Sequence, residues 1–489
     1  MRFLMIGMDG AHIEAFYRGW TPFIASLMDR AHHLPIKEEL VARGWSHIAL
    51  GKHGAVTGAL YDRPELDGTH KWSLKFRISD VPGLGHSVKP IWQALGEAGF
   101  RVGIMNLPTV FPAPEVNGFC VSGGGGGGPV VQDPSEELCH PISILPTLHE
   151  MGYIVDERPN SLIADKGFTR LDQVFERMAL KNERRTNAFI ALSNEFDIDF
   201  GFLVFKSSSV FAETLILAET AAASRAHTAP DNELMDAAET YYRHFDKQIQ
   251  RLYAAYSDTE IVMVSDHGSC SPEFRFNPNA LLHKLGFQTK ASRKRLIANA
   301  VHAGKKLIPY SLRLKLRKNA AVKKSWDSVA TTPPPGAHAF AAVLGDWRHG
   351  IFVNDSERFG GPVDPAQIDE VANEVAKAVN GDPEARAHGV SAAPRHNSRQ
   401  NGAPEYPDIV LSMPDNIASS TISAAPFAPF RMPASPLGLR TVTDGRLLTA
   451  KSGNALAAHT TGRWDFDEPE TKTDLTAIYA HIIKRFGAY

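Results

Sequence analysis

Two short apolar runs in this chain each end on acidic chemistry, and that repetition narrows the folds open to it. Phe3-Leu4-Met5-Ile6 runs into Gly7-Met8-Asp9-Gly10, and Ile261-Val262-Met263-Val264 runs into Ser265-Asp266-His267-Gly268. A buried strand that ends this way delivers its side chains to the carboxyl edge of a sheet, where open α/β sheets bind their ligands. Two strand-end aspartates and an imidazole are half of a divalent metal site. The plainer reading makes Asp9 a helix cap and Asp266-His267-Gly268 a turn. It accounts for either motif alone better than for both together.

Apolar strands and amphipathic helices alternate along the chain. The pattern predicts a strand at 3–6, a helix near 20–31, a helix at 88–98 before a strand at 101–105, a helix at 181–195 before a strand at 200–205, and a helix at 231–256 before the strand at 260–265. Strands at 350–354 and 408–411 and a helix at 365–379 follow, and the stretch 381–404, rich in Ala, Pro, Asn and Gly, reads as a loop. Alternation of this kind predicts a mostly parallel sheet with helices on both faces. At 489 residues the chain can bury a large core.

The net charge of −2 hides an asymmetry, because Lys290–Lys324 holds 12 Lys/Arg and no acid, leaving 40 basic residues against 54 acidic ones elsewhere. This segment reads as two short basic amphipathic helices. A surface lid is the first reading, contact with a membrane surface or an anionic glycan the second, and nucleic-acid binding is not expected because Tyr310 is the one aromatic residue among the basic ones for stacking. The six glycines 123–128 read as a loop without a phosphate-binding Lys-Ser/Thr after them. Three cysteines (Cys120, Cys139, Cys270) without CxxC spacing argue against a disulfide framework. With no signal-peptide cleavage site and no apolar run of membrane-spanning length, the expectation is a cytoplasmic protein.

A carboxylate–imidazole set calls for a nucleophile, and hydroxyls need a metal or a base to become one. The stretch Gly44–Gly58 carries Ser46, Thr57, His47, His53 and Lys52 among several glycines. Ser46 is the first choice, with Thr57 behind it, and a helix N-cap is its plainer role. His47 suits acid–base work or ligation, and Lys52 can hold non-bridging oxygens.

These segments together resemble the alkaline phosphatase superfamily in its type I phosphodiesterase/nucleotide pyrophosphatase branch. The resemblance rests on Ile6–Gly10, on Asn106–Pro112 with Glu115–Gly123, on Tyr241–Asp246, on Val264–Gly268 and on His459 in Ala458-His459-Thr460-Thr461-Gly462. It implies a three-layer α/β fold, residues 1–285 and 326–489 forming the core and 286–325 a basic helical insertion. It also implies phosphoryl transfer at one or two zinc ions, with Mn²⁺ or Mg²⁺ as substitutes. Asp9, Asp266, His267 and the nucleophile oxygen would hold one ion. Glu213 and the late His459 would hold the other, where the family's first ligand falls on Ser209, a poor donor. The implied activity is hydrolysis or transfer at a phosphate ester, a diester in preference to a monoester, on a small phosphorylated substrate or an anionic glycan or lipid. The alternative is a catalytically weakened relative that binds a phosphorylated or sulfated ligand, or scaffolds partners.

Overall fold

The computed structural model describes residues 1–11, 13–124, 131–157, 162, 170–206, 220, 224, 229, 232–289, 332–342, 350–395, 402–419, 425–429, 450–465 and 473–488. Its centre is an eight-stranded sheet in the order His32–His33, Ala457–His459, Glu260–Val264, Phe3–Met8, Phe200–Phe205, Val102–Met105, Gly118–Val121, Cys139–His140. The five inner strands, from Glu260–Val264 to Gly118–Val121, are mutually parallel. The outer pairings are antiparallel.

The first strand shows why this sequence lies in the middle. Every residue from Phe3 to Met8 is buried, and successive side chains point to opposite faces. Leu4, Ile6 and Met8 enter one core with the helices Pro22–Arg30, Leu171–Phe196 and Asn232–Ala255. Phe3 and Met5 enter the other, with the helices Gly44–Leu50, Ile91–Glu97 and Thr476–Phe486. A strand apolar on both faces is stable only between two such layers. The three-layer α/β expectation therefore holds.

A second body has its own core. Strands Ala339–Phe340, Gly350–Val353, Ile409–Ser412 and Ser391–Pro394 form an antiparallel sheet in that order, and the buried face of helix Ile368–Gly381 packs on it. Arg358 is buried here, its Nε 2.6 Å from Asp355 and its Nη2 2.8 Å from Asp408. The residues of this second body fill a hydrophobic cluster of their own. The expected loop at 381–404 also differs in its first half: Asp382 caps a helix at Pro383–Ala387, and Ser391–Pro394 is a strand. Of the basic insertion, residues 290–325 lie outside the described residues, as do Gly125–Gly128 of the glycine run. No helix among the described residues is long and apolar enough to cross a membrane.

Candidate metal centre at the carboxyl edge of the sheet

Asp9 directly follows the strand Phe3–Met8, and Asp266-His267 follows the neighbouring strand Glu260–Val264 after one residue. Parallel pairing of these strands, with Gly7 opposite Val264, carries both ends to the same edge. There Asp9, Asp266 and His267 offer ligand atoms that all lie within 4.8 Å of one another, and all three residues are buried. Two clasps hold the ends together: Gly10 N–H donates to Asp266 Oδ1 (3.1 Å), and Ser269 Oγ donates to the Gly10 carbonyl (2.8 Å).

Two glycines let the helix Gly44–Leu50 close over this edge. A Cβ on Gly7 would stand 2.8 Å from the Trp45 ring, and one on Gly44 would stand 2.1 Å from the Asp266 carbonyl oxygen. Without side chains at these points the indole lies on the strand, and its Nε1–H donates to Asp9 Oδ2 (3.1 Å). The helix start thereby abuts the Asp266 backbone.

The electrostatics follow from burial. Burial, and then the facing charge of Asp9, pushes the Asp266 carboxyl up, against the pull of Lys451. Burial, then the Lys451 charge, lowers His267, which favours a neutral ring. His267 Nδ1 lies 2.7 Å from the Gly268 carbonyl. That contact makes Nδ1 the donor and turns the Nε2 lone pair inward, the usual arrangement of a metal-binding histidine. Two buried carboxylates and one imidazole lone pair are a donor set for a single divalent cation. The residues present fit one such ion.

Lys451, which the sequence did not single out, occupies the same point. It lies on the strand Ala450–Ser452, paired antiparallel with Gly268–Cys270 so that Lys451 stands opposite Ser269. Its Nζ is 2.5 Å from His267 Nε2 and 3.2 Å from the Tyr61 hydroxyl. Burial works against its charge, yet Tyr61, Asp266 and Asp9 hold its pKa above the ordinary lysine value. Burial pushes the Tyr61 phenol up to about 12. The Tyr61 segment is braced by the second body, through Tyr406 packed on Val41 and Leu60 and through Glu405 against Arg63 (3.1 Å).

The other expected site residues fall elsewhere. Ser46 is one residue beyond Trp45 and fully buried, its Oγ without a hydrogen-bond partner. Thr57 is buried at the end of the next helix, Gly54–Thr57, its Oγ1 accepting from Ala59 N–H (3.3 Å). His47 braces the loop, with Nε2 accepting from Gly54 N–H (2.9 Å) and Nδ1 facing Glu38 Oε2 at 2.9 Å. Lys52 is exposed beyond Gly51, which caps the far end of the helix from the Asp266 contact. The seven-residue helix separates it from that contact by about 10 Å.

His459 does not join the centre, for a topological reason. Its strand runs antiparallel to Glu260–Val264, with Ala457 opposite Val264 and His459 opposite Val262. Each step toward His459 therefore leads away from Asp266, about 13 Å over four strand residues. At the amino edge His459 Nε2 meets Glu260 Oε1 (2.8 Å), with His481 beside it. Glu213 lies outside the described residues. A second ion has no described ligand set at the carboxyl edge. Two clefts, one lined by Asp197, Tyr256 and Asp258, the other by Glu260, Arg463 and Arg485, include none of the converging residues.

The sequence profile of the family described as type I phosphodiesterase / nucleotide pyrophosphatase matches residues 3–421. No curated protein sequence matches the chain. Among solved structures, phosphonoacetate hydrolase from Sinorhizobium meliloti 1021, in complex with phosphonoacetate, is similar over 99% of this chain and 95% of that one, at 14% identity and a TM-score of 0.54. Human ectonucleotide pyrophosphatase/phosphodiesterase 5 is similar over 100% and 95%, at 10% identity and a TM-score of 0.47. The first likeness is one of fold.

Proposed function

Because this chain belongs to the type I phosphodiesterase / nucleotide pyrophosphatase family, we propose that it is a metal-dependent hydrolase or transferase of a phosphate ester, a diester in preference to a monoester, acting on a small phosphorylated substrate. The observation that carries this reading is the convergence of Asp9, Asp266 and His267 at the carboxyl edge. These three hold one divalent ion. The mixed carboxylate–imidazole set favours zinc, with Mn²⁺ or Mg²⁺ as substitutes. Such an ion, when bound, lowers the pKa of a nucleophilic oxygen and stabilises phosphoryl charge.

The chain's own groups do the rest. Ser46 supplies the nucleophilic hydroxyl. It sits on the helix whose first two residues touch Asp266 and Asp9, and a buried hydroxyl left without a partner costs about 1–3 kcal/mol that function would explain. Trp45 fixes the Asp9 carboxylate through Nε1–H. The Lys451 ammonium and the Tyr61 hydroxyl face the point where phosphoryl oxygens would lie, and both donate hydrogen bonds to them. His47 and Lys52 take no chemical step.

A second reading, a weakened relative that binds a phosphorylated or sulfated ligand, draws support from one observation: Ser46 has no solvent exposure. Hydrolysis of bis-p-nitrophenyl phosphate and p-nitrophenyl phosphate with added Zn²⁺ or Mn²⁺ separates the two. Metal-dependent turnover, faster on the diester and reduced about a thousandfold or more in Ser46→Ala, supports the enzyme. Phosphate binding without turnover under either ion leaves the ligand-binding relative. Turnover that survives Ser46→Ala removes Ser46 as the nucleophile.

A further inference from the structure

One cation is already built into the carboxyl edge. Lys451 Nζ lies 2.5 Å from His267 Nε2, and that ring nitrogen has a single lone pair, because its partner Nδ1 faces the Gly268 carbonyl. The lone pair accepts an N–H from the ammonium or binds a metal, but not both. The lysine is fixed by its backbone: its strand is laddered to Gly268–Cys270, directly after His267. A Cβ on Gly268 would strike the Asn454 carbonyl at 2.3 Å, so the two strands are pressed close. Lys451 also stacks its ammonium 4.5 Å from the centre of the Tyr61 ring. The second positive charge in range of Asp266 is Arg43, whose Nε and Nη2 are committed to the carbonyls of Leu60 and Leu74.

We infer that Lys451 is the resident counter-cation of the Asp9–Asp266 pair, so that a divalent ion reaches His267 Nε2 only by displacing the lysine ammonium. The inference rests on the reading that Asp9, Asp266 and His267 form the metal centre. Besides its place in the phosphoryl site, Lys451 then sets how tightly the centre loads. Removing its charge takes away a cation that acts on both buried carboxylates, a role a metal then fills. Arginine keeps the charge and the competition.

The test is calorimetric titration of the metal-stripped full chain with Mn²⁺ alone, at one fixed pH near neutrality. Lys451→Met is expected to bind at least about tenfold more tightly than wild type, Lys451→Arg to stay near wild type, and Asp266→Asn to abolish binding. A merely structural role would move Met and Arg variants alike. Lys451→Gln, which keeps a donor toward His267 and Tyr61 without the charge, gives the same reading if the Met variant does not fold. Equal affinity in wild type and the charge-free variants, still abolished by Asp266→Asn, overturns the displacement and leaves the metal centre standing. Binding in none of them overturns the metal centre, and the displacement with it.

Discussion

At the carboxyl edge of the central sheet two aspartates and a histidine converge; at the amino edge a glutamate and two histidines do, Glu260, His459 and His481. Both clusters are carboxylate–imidazole sets of similar spacing, and the difference lies in what answers them. His459 has both ring nitrogens engaged, Nε2 with Glu260 Oε1 and Nδ1 accepting from Gly462 N–H (2.9 Å). Glu260 Oε2 takes Arg485 through two nitrogens, at 3.1 and 2.6 Å. Both oxygens of that carboxylate are answered by protein donors. At the carboxyl edge the two carboxylates face each other, and His267 is tethered so that its remaining lone pair points inward. What meets them there is the Lys451 ammonium, a cation that a metal can replace, whereas the amino edge is closed by an arginine and by backbone.

The comparison breaks most sharply in activity. Asp266→Asn should lower metal-dependent hydrolysis by about a thousandfold or more, while Glu260→Gln changes it by no more than a few-fold once the folded fraction is taken into account. Gly44→Ala comes next. Its Cβ would meet the Asp266 carbonyl at 2.1 Å, so thermal unfolding should show a loss of about 3 kcal/mol or more, together with loss of metal binding. His459→Ala removes a buried ring and exposes the Glu260 pair. A stability loss of about 2–4 kcal/mol is expected in denaturant unfolding, with metal affinity unchanged. Trp45→Phe deletes the hydrogen bond to Asp9 along with part of the ring packed on Gly7, and should weaken metal binding about tenfold in the same titration.

The smallest effect is a pH dependence confined to the amino edge. Burial, then the neighbouring His459, lowers His481 to about 4 from its ordinary 6.5. The unfolded chain therefore takes up this proton before the folded one does. The stabilisation is complete above pH 6.5 and is lost as pH falls toward 4. Thermal melts between those limits should fall less steeply for His481→Phe than for wild type.

How much of this was legible in the sequence follows from which parts are local. Asp9 and Asp266-His267 were readable because each directly follows an apolar run, and parallel strands deliver their ends to one edge. His459 was not, because its position depends on strand direction: the same strand-end context in an antiparallel strand lands at the opposite edge. Lys451 gave no local signal, since its meaning lies in the register that sets it opposite Ser269, far away in the chain. The second body was hidden for a similar reason. Its sheet joins strands separated by a helix and loops, and each segment alone reads like the α/β core. Ser46 was readable as a hydroxyl near histidines, but its burial and the bracing role of His47 came only from packing.

Metal content of the purified chain is the most direct test of the central claim, that the carboxyl edge and not the amino edge is the metal centre. Wild type and His459→Ala should each retain about one ion per chain after equilibration with Zn²⁺, and Asp266→Asn should retain none. An ion kept by Asp266→Asn and lost by His459→Ala would place the centre at the amino edge and contradict the account.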